Sequence, residues 1–268
     1  MPELPEVETI KRDLENRILH HSIEEVSVRD TMVVRFPSKK LFIKQLEGKH
    51  IEALERRGKA IIFKLSGGYF LIIQLVMTGQ LIFGKKSPHA RVSFKLSNGE
   101  YLNYNDQRRF GRLNIVRDLN ELKFFKSLGP EPFDSGFNAA WLAKELKKHK
   151  APIKSLLMNQ NFVAGIGNIY ANEILFRCGI NPQRPGRSLR PEEIKALHKM
   201  TILILKKAIE LRGSSVNTYR DANGQKGFFI NRLKVYGKAK NKCALCKAPI
   251  ERIVLAGRST FFCRRCQS

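Results

Sequence analysis

The chain has 268 residues, enough for two domains and a small third, and its apolar content of 43% supports folded cores rather than a disordered basic tail. It carries 49 Lys and Arg against 24 Asp and Glu, a formal net charge of +25, which predicts salt-sensitive attraction to polyanions. The sequence has no run of about eighteen apolar residues, so a membrane-spanning helix is not expected. Nucleic acid is therefore the expected polyanionic partner.

The chain start predicts a leading helix. Met1–Glu6 has prolines and acids where a signal peptide would carry basic residues and then an apolar run, so we expect a cytoplasmic protein. Pro5 suits the first helical position because it has no N–H to leave unpaired. Val7, Ile10 and Leu14 follow at helical spacing and predict a buried face.

The same segment also offers covalent chemistry. If Met1 is removed, Pro2 presents a secondary amine, and an α-amino group is partly unprotonated near neutral pH. Such an amine can attack an electrophilic carbon, while Glu3 or Glu6 protonates a leaving group or positions the amine. Helix capping by the prolines and acids is the alternative explanation.

Residues 26–116 have the pattern of β-strands. Ile61–Leu65, Tyr69–Ile73 and Leu81–Phe83 are short β-rich runs, and Asn98-Gly99 between two alternating runs is a strong hairpin signal. The first half of the chain is therefore predicted to be an antiparallel β-sandwich with one leading helix.

Three places in this half could bind nucleic acid. Lys59, before an apolar strand, could hold a phosphate or could be a solvated charge. Arg108 and Phe110 are two residues apart, so in extended backbone they would project together and could enter a duplex; a basic loop with one buried Phe is the alternative. Met77 is either a core residue or an adaptable filler of a gap.

Beyond the turn-rich linker at residues 128–136, the apolar period becomes helical. A glycine-rich turn at residues 163–168 leads into one of these helices, where backbone amides and Asn168 could meet a phosphate. A tight turn between packed helices explains the glycines equally well. The predicted helices are Ala140–Lys148, Ile153–Asn159, Ile169–Cys178 and Pro191–Leu211.

The chain closes with four cysteines spaced C-x₂-C, sixteen residues, C-x₂-C, which is typical of a tetrahedral zinc site. A pair of disulfides is the alternative, but disulfides suit secreted proteins. Residues 238–268 also hold eight Lys or Arg against one acid, as expected of a cationic module that binds nucleic acid. The predicted zinc ligands are Cys243, Cys246, Cys263 and Cys266.

With these motifs in place, the chain resembles bacterial formamidopyrimidine-DNA glycosylase, also called 8-oxoguanine DNA glycosylase. The resemblance runs from end to end, through Met1–Thr9, Asp106–Gly111, Gly165–Glu173 and Ala256–Gln267. It implies an α+β fold: an N-terminal antiparallel β-sandwich with a leading helix, and a C-terminal helical domain (helix-two-turn-helix) with a zinc-finger β-hairpin. The expected domains are residues 1–130, 131–237 and 238–268.

The resemblance also implies the chemistry. Oxidised purines would be flipped out of duplex DNA and excised, and the abasic strand would be cleaved by successive eliminations through a Schiff base on Pro2. Glu3 would be the principal acid-base residue and Glu6 its support. Lys59 would hold a phosphate and assist the first elimination, and Arg258 would assist the second.

The implied DNA contacts come from both halves of the chain. Met77, Arg108 and Phe110 would fill the gap left by the extruded nucleotide, with Arg108 facing the orphaned cytosine. Residues 217–227 would form a mobile loop over the flipped base. One structural zinc ion, a monomer and a bacterial cytoplasmic location are also implied. The expected backbone contacts are His89, Lys154, Asn168 and Tyr170.

Two positions depart from the family pattern: Gln74 and Arg91 stand where many members carry histidine, which weakens the DNA contacts assigned around them. The sister family of endonuclease VIII-like glycosylases, which favour oxidised pyrimidines, is the alternative. Leu4-Pro5 and the full 217–227 loop favour the purine-specific branch. A non-catalytic, zinc-bearing nucleic-acid binder is the hypothesis from another class.

Overall fold

The computed structural model describes residues 2–216 and 218–268, which pack into two compact units. Unit 1 comprises the chain up to Lys126 together with Ile209–Ile230, and unit 2 comprises Ser127–Ala208 together with Asn231–Ser268. Met1, which is predicted to be removed, and Asn217, which begins the predicted loop, lie outside the described residues. This packing groups residues 209–230 with the sandwich, whereas the sequence-based domains assign them to the helical part.

Unit 1 begins with the predicted helix and continues mostly as strands. The helix α1 spans Leu4–Ile18 and buries the face that carries Val7, Ile10 and Leu14. A second helix, α2 (Lys39–Leu46), lies inside the span predicted as strands, and a short α3 (Lys123–Lys126) ends the first stretch. The all-strand prediction for residues 26–116 is therefore wrong at α2, where Phe42 and Leu46 are buried at helical spacing.

The strands of unit 1 form two sheets that enclose one apolar core, so the predicted sandwich is confirmed. One sheet has the order β1-β7-β8-β6 and the other β2-β9-β5-β4-β3; pairing is antiparallel except between β2 and β9. Gly99, at φ 82°, turns the predicted hairpin between β7 and β8. The strands are β1 Ile23–Val28, β2 Val34–Phe36, β3 Ile51–Arg57, β4 Ala60–Leu65, β5 Tyr69–Gln74, β6 Gly79–Gly84, β7 Val92–Leu96, β8 Tyr101–Asp106 and β9 Arg112–Val116.

The helices that follow Ser127 agree with the predicted ones to within a turn. They are α4 (Ala139–Leu146), α5 (Ile153–Met158), α6 (Asn168–Cys178) and α7 (Pro191–Glu210). The last two strands, β10 (Glu251–Leu255) and β11 (Arg258–Phe262), form a separate antiparallel hairpin. Within the described parts of the chain, every helix is too short or too polar to cross a membrane.

Candidate active site and nucleic-acid interface

The chain start forms a buried, acidic N-terminus of α1. Pro2 is buried, and Glu3 and Glu6 are each only 1% exposed. Glu3 is the N-cap residue, and its backbone N–H donates to Glu6 Oε2 over 2.8 Å within a capping box. Carboxylates are favoured here because the helix dipole is positive at this end. Both predicted acids are thereby fixed within four residues of Pro2.

Glu6 also binds the segment that follows α7. Its Oε1 accepts a hydrogen bond of 2.7 Å from the backbone N–H of Ser214. Gly213 has φ 77°, and a Cβ built there would lie 2.8 Å from Glu6 Oε1, so a side chain at this position would displace the carboxylate. The sequence gives no signal of this contact beyond the turn formers at residues 213–215.

Lys59 lies in the turn between β3 and β4, next to Gly58 at φ 57°. The turn is held by Arg56, whose Nε lies 3.0 Å from Glu8 Oε2 on α1 and whose Nη1 donates to the Gly58 carbonyl oxygen. Burial raises the pKa of Glu8, but hydrogen bonds and charges from Arg12 and Arg56 outweigh it and the pKa is lowered overall. This ionised pair joins the Lys59 turn to the second turn of α1.

Met77, Arg108 and Phe110 form one contact cluster around the Arg108 guanidinium. The guanidinium carbon of Arg108 lies 4.7 Å from the centroid of the Phe110 ring, and Arg108 Nη1 lies 3.5 Å from Met77 Sδ. Phe110 is 45% exposed. The backbone between Arg108 and Phe110 is not extended, because Arg109 has φ 59°. This left-handed residue brings the side chains of Arg108 and Phe110 into contact.

Asp106, which is 2% exposed, builds the turn that presents this cluster. Its Oδ2 accepts hydrogen bonds from the Gly111 backbone and the Tyr104 hydroxyl, and its Oδ1 accepts one from Thr78 Oγ1. Thr78 Oγ1 in turn accepts from the Arg108 backbone over 3.0 Å. Burial, together with the Asp106 charge, raises the pKa of Tyr104, so this hydroxyl stays a donor. The local sequence pattern around Asp106 gives no sign of this role.

His89 is exposed and lines a cavity of about 410 Å³ beside the same turn. Arg91 is held there, since its Nε donates to the Asp106 carbonyl oxygen over 3.0 Å. Gln74 is not among the lining residues; it ends β5, paired with Ala60 on one side and Arg112 on the other. The cavity is lined by Thr78, Gln80, His89, Arg91, Asn105, Asp106, Gln107 and Thr218.

In unit 2, two of the predicted DNA contacts hold the terminal hairpin. Lys154 is 1% exposed, and its Nζ donates to Thr260 Oγ1 over 2.7 Å and to the Ser259 carbonyl oxygen over 3.2 Å. Asn168 Nδ2 donates to the same carbonyl over 3.1 Å. Arg258, one residue earlier, is exposed at the start of β11. These contacts fix the backbone that carries Arg258.

The glycine-rich turn leads into α6 as predicted. Gly165 has φ 88°, and Gln160 accepts from the Gly165 N–H and donates to the Ile166 carbonyl, which closes the turn. Asn168 is the first residue of α6. Tyr170, in the first turn of α6, is fully buried.

The four closing cysteines form one cluster. Their sulfur atoms all lie within 4.8 Å of one another, and the closer pairs are 3.9 Å (Cys243 to Cys266) and 3.4 Å (Cys246 to Cys263). A tetrahedral site with Zn–S bonds of about 2.3 Å has sulfur separations of about 3.8 Å, so the donor set fits one structural zinc ion. A backbone hydrogen bond from Ala248 lowers the pKa of Cys246, whereas hydrogen bonding to Cys246 raises the pKa of Cys266.

Glu173 is a structural residue that sequence reasoning missed. It is fully buried in α6, yet its carboxylate accepts from the backbone N–H groups of Lys234, Val235 and Tyr236. Arg177 supplies the balancing charge. The carboxylate therefore fixes the segment that enters the zinc hairpin, which only the folded backbone reveals.

Comparison with known families covers almost the whole chain. Residues 1–113 match the formamidopyrimidine-DNA glycosylase N-terminal domain, and residues 128–220 match the formamidopyrimidine-DNA glycosylase H2TH domain. Residues 240–268 match a zinc finger found in FPG and IleRS. The three matches follow the sandwich, the helical segment and the cysteine hairpin described above.

Individual relatives agree. A formamidopyrimidine-DNA glycosylase of Desulfitobacterium hafniense is 44% identical over the full length of both chains. The crystal structure of MutM (Fpg) from Thermus thermophilus superposes with a TM-score of 0.91 at 40% identity, covering 99% of this chain and 98% of that one. Lactococcus lactis Fpg, solved with abasic-site DNA, gives 0.92 at 37% identity and 99% coverage of both chains. The chain therefore belongs to the formamidopyrimidine-DNA glycosylase family, whose members are DNA repair enzymes.

Proposed function

We propose that this protein flips oxidised purines (8-oxoguanine and formamidopyrimidines) out of duplex DNA, excises them, and cleaves the resulting abasic strand through a Schiff base on Pro2. The observation that carries the proposal is the buried start of α1, where Glu3 and Glu6 are hydrogen-bonded together next to Pro2. Complexes of Lactococcus lactis Fpg with abasic-site DNA and with Fapy-dG DNA support the substrate class.

The chemistry requires an unblocked amine. Once Met1 is removed, the Pro2 nitrogen attacks the sugar carbon that bears the damaged base, and the base departs with a proton from an acid. Glu3 is the proposed acid-base residue, and Glu6 orients it through the Glu3 backbone. The C–O bond of the sugar ring then opens, its oxygen takes up a proton, and a Schiff base remains on Pro2. The Schiff base makes the neighbouring C–H bond acidic, so that two successive eliminations each lose a proton, expel a phosphate and cleave the strand. Lys59 and Arg258 are the proposed phosphate-binding cations for these eliminations.

The Met77, Arg108 and Phe110 cluster is proposed to offset the cost of flipping, which is a few kcal/mol of unstacking. An exposed ring with a cation over its face suits a wedge in the stack. His89 and Asn168 are proposed phosphate contacts. Lys154 and Tyr170 are buried, so we propose that they act by presenting the hairpin backbone and the start of α6 to phosphate rather than by direct side-chain contact.

Borohydride trapping tests the covalent step. Wild-type protein mixed with duplex DNA that carries one 8-oxoguanine opposite cytosine should give a protein–DNA adduct, and Pro2→Gly should give none. Intact mass should show a chain that lacks Met1. Lys95→Ala, which removes a surface cation paired with Glu24, is the matched control and should trap normally. If wild-type protein binds the duplex but forms no adduct with any lesion, the protein is a binder rather than an enzyme.

A substrate panel tests the purine preference. Single-turnover excision of 8-oxoguanine and of a formamidopyrimidine should be faster than excision of an oxidised pyrimidine in the same duplex. The reverse order would assign the endonuclease VIII-like specificity. Light scattering of the free protein should give the mass of one chain, since we propose a monomer that acts in the bacterial cytoplasm.

A further inference from the structure

The described residues of the loop that follows α7 and Gly213, namely 214–216 and 218–228, are closed at the base and organised by one buried carboxylate. Ser214 and Phe228 pair as an antiparallel bridge. Asp221 is 1% exposed; its Oδ1 accepts from the backbone N–H groups of Asn223 (2.9 Å) and Gln225 (2.8 Å). Asp221 thus determines the shape of the exposed turn at residues 223–226.

A single arginine joins this carboxylate to α1. Arg212 donates from Nε to Asp221 Oδ2 over 3.0 Å, and its Nη2 pairs with both Asp221 and Asp13. The side chain of Asp13 is 10% exposed and that of Arg212 is 36% exposed. Hydrogen bonding to Asp13, followed by that to Asp221, raises the pKa of Arg212, which keeps it charged.

The backbone indicates that this side chain is needed. Arg212 has φ 59°, a left-handed conformation that costs a residue with a Cβ about 1 kcal/mol. Glycine would adopt it without strain. The ion pairs with Asp13 and Asp221 offset the cost of the strained backbone at Arg212.

We propose that Arg212 is a positioning residue for base excision, an inference that rests on the proposed function. The loop is attached to α1 at two points: Ser214 binds Glu6, and Asp221 binds Asp13 through Arg212. Glu6 and Asp13 lie on the helix that begins beside Pro2, so the loop is held in fixed relation to the reacting groups. The family resemblance implies that residues 217–227 cover the flipped base, so we expect base excision to depend on the loop, whereas cleavage at an abasic site has no base to hold.

Arg212→Gly separates the two steps, because glycine keeps the backbone conformation and loses the guanidinium. Excision of 8-oxoguanine under single-turnover conditions should fall by about tenfold or more, while cleavage of a preformed abasic site should change by less than about twofold. Trypsin should cut faster after Lys226 as the loop loosens. Arg212→Lys, which retains the charge, should recover part of the excision rate.

Two further variants complete the test. Asp221→Asn keeps an oxygen for the turn and loses the charge that pairs with Arg212, so it should reproduce the Arg212→Gly result even if that variant folds poorly. Lys64→Ala removes a surface cation paired with Glu55 and should leave both rates unchanged. Unchanged excision in Arg212→Gly and Asp221→Asn, or an equal loss of both activities, overturns the inference. Absence of excision by the wild-type protein would instead refute the proposed function.

Discussion

The zinc hairpin of unit 2 and the loop of unit 1 between Ser214 and Phe228 are both short segments with a proposed role on DNA, but they are held in different ways. The hairpin is fixed from within by four sulfur atoms that cluster within 4.8 Å, in addition to the contacts that Lys154 and Asn168 make with its backbone. The loop is fixed from outside, by Glu6 and by the Arg212 ion pairs on α1. Metal coordination makes a segment rigid where little core is available, whereas the ion pairs make the loop rigid by attaching it to α1 of the sandwich.

The difference also separates local from distant information. The zinc ligands lie in two C-x₂-C pairs within 24 residues of chain, whereas Asp13 and Arg212 are 199 positions apart. The zinc site can therefore be recognised from the spacing of its ligands, whereas the Asp13–Arg212 ion pair cannot. We also expect the hairpin and the loop to lose their structure under different perturbations.

Metal removal should have the largest effect and should affect only the hairpin. Because structural zinc contributes about 10 kcal/mol or more to folding its site, chelation should unfold the hairpin and weaken DNA binding by about a hundredfold. Fluorescence anisotropy with labelled duplex measures the loss, and added zinc should reverse it. Trypsin cleavage after Lys226 should stay at the rate of the untreated protein. Undiminished binding after complete metal removal would contradict the role assigned to this module.

Glu173→Gln tests a second external anchor, at the entrance to the hairpin. A neutral amide cannot accept the three backbone N–H groups as well and leaves the Arg177 charge unbalanced, so the free energy of unfolding should fall by about 3 kcal/mol. Denaturant unfolding at neutral pH measures the loss. Glu192→Gln, with a side chain 66% exposed, is the control and should lose under about 0.5 kcal/mol. Equal losses in the two variants would show that the buried carboxylate is not an anchor.

The ion pair between Arg184 and Glu193 in unit 2 should be sensitive to acid. Hydrogen bonding from Arg184 outweighs burial and lowers the pKa of Glu193 to about 2, below its ordinary value of 4.5. The stabilisation is therefore complete above pH 4.5 and is lost as the pH falls towards 2. Glu193→Gln should cost about 2 kcal/mol at pH 7, and the difference from wild type should shrink between pH 4.5 and 2. If the difference in unfolding free energy between the variant and wild type does not change with pH, the Arg184–Glu193 ion pair does not stabilise the fold.

The smallest effect concerns the cysteine outside the zinc cluster. Burial raises the pKa of the Cys178 thiol to about 12, so it stays protonated and unreactive at pH 8. Alkylation after zinc removal should label the four cluster cysteines first and Cys178 last, as read by mass spectrometry. Early labelling of Cys178 would show that its thiol is more accessible than its surroundings imply.

Much of the fold was predictable because its signals are local. Helical spacing gave α1 and α4 to α7, Asn98-Gly99 gave the β7–β8 hairpin, and the cysteine spacing gave the metal site. The exception was α2, where a short amphipathic helix interrupts a span of strands. Eight residues carry too few helical repeats to stand out against flanking β patterns.

The contacts that support the candidate site residues were not predictable from the sequence. Met77, Arg108 and Phe110 lie in one cluster, but the left-handed Arg109 and the buried Asp106 that bring them together, in place of the expected extended backbone, follow from the folded turn. Lys154 was predicted to contact DNA, and its burial against Ser259 and Thr260 appears only in the structure. Burial depends on neighbours from other parts of the chain, which a local pattern does not contain.

The sequence by itself determined helices α1 and α4 to α7, the sandwich, the zinc ligands and the acidic, proline-bearing start of the chain, because periodicity and spacing act over a few residues. Only the tertiary structure decided that Glu6 binds Ser214, 208 positions away, and that Arg212 joins Asp13 to Asp221. Such contacts depend on where the backbone returns after many residues, and hydrogen bonds and ion pairs act only at that final short range.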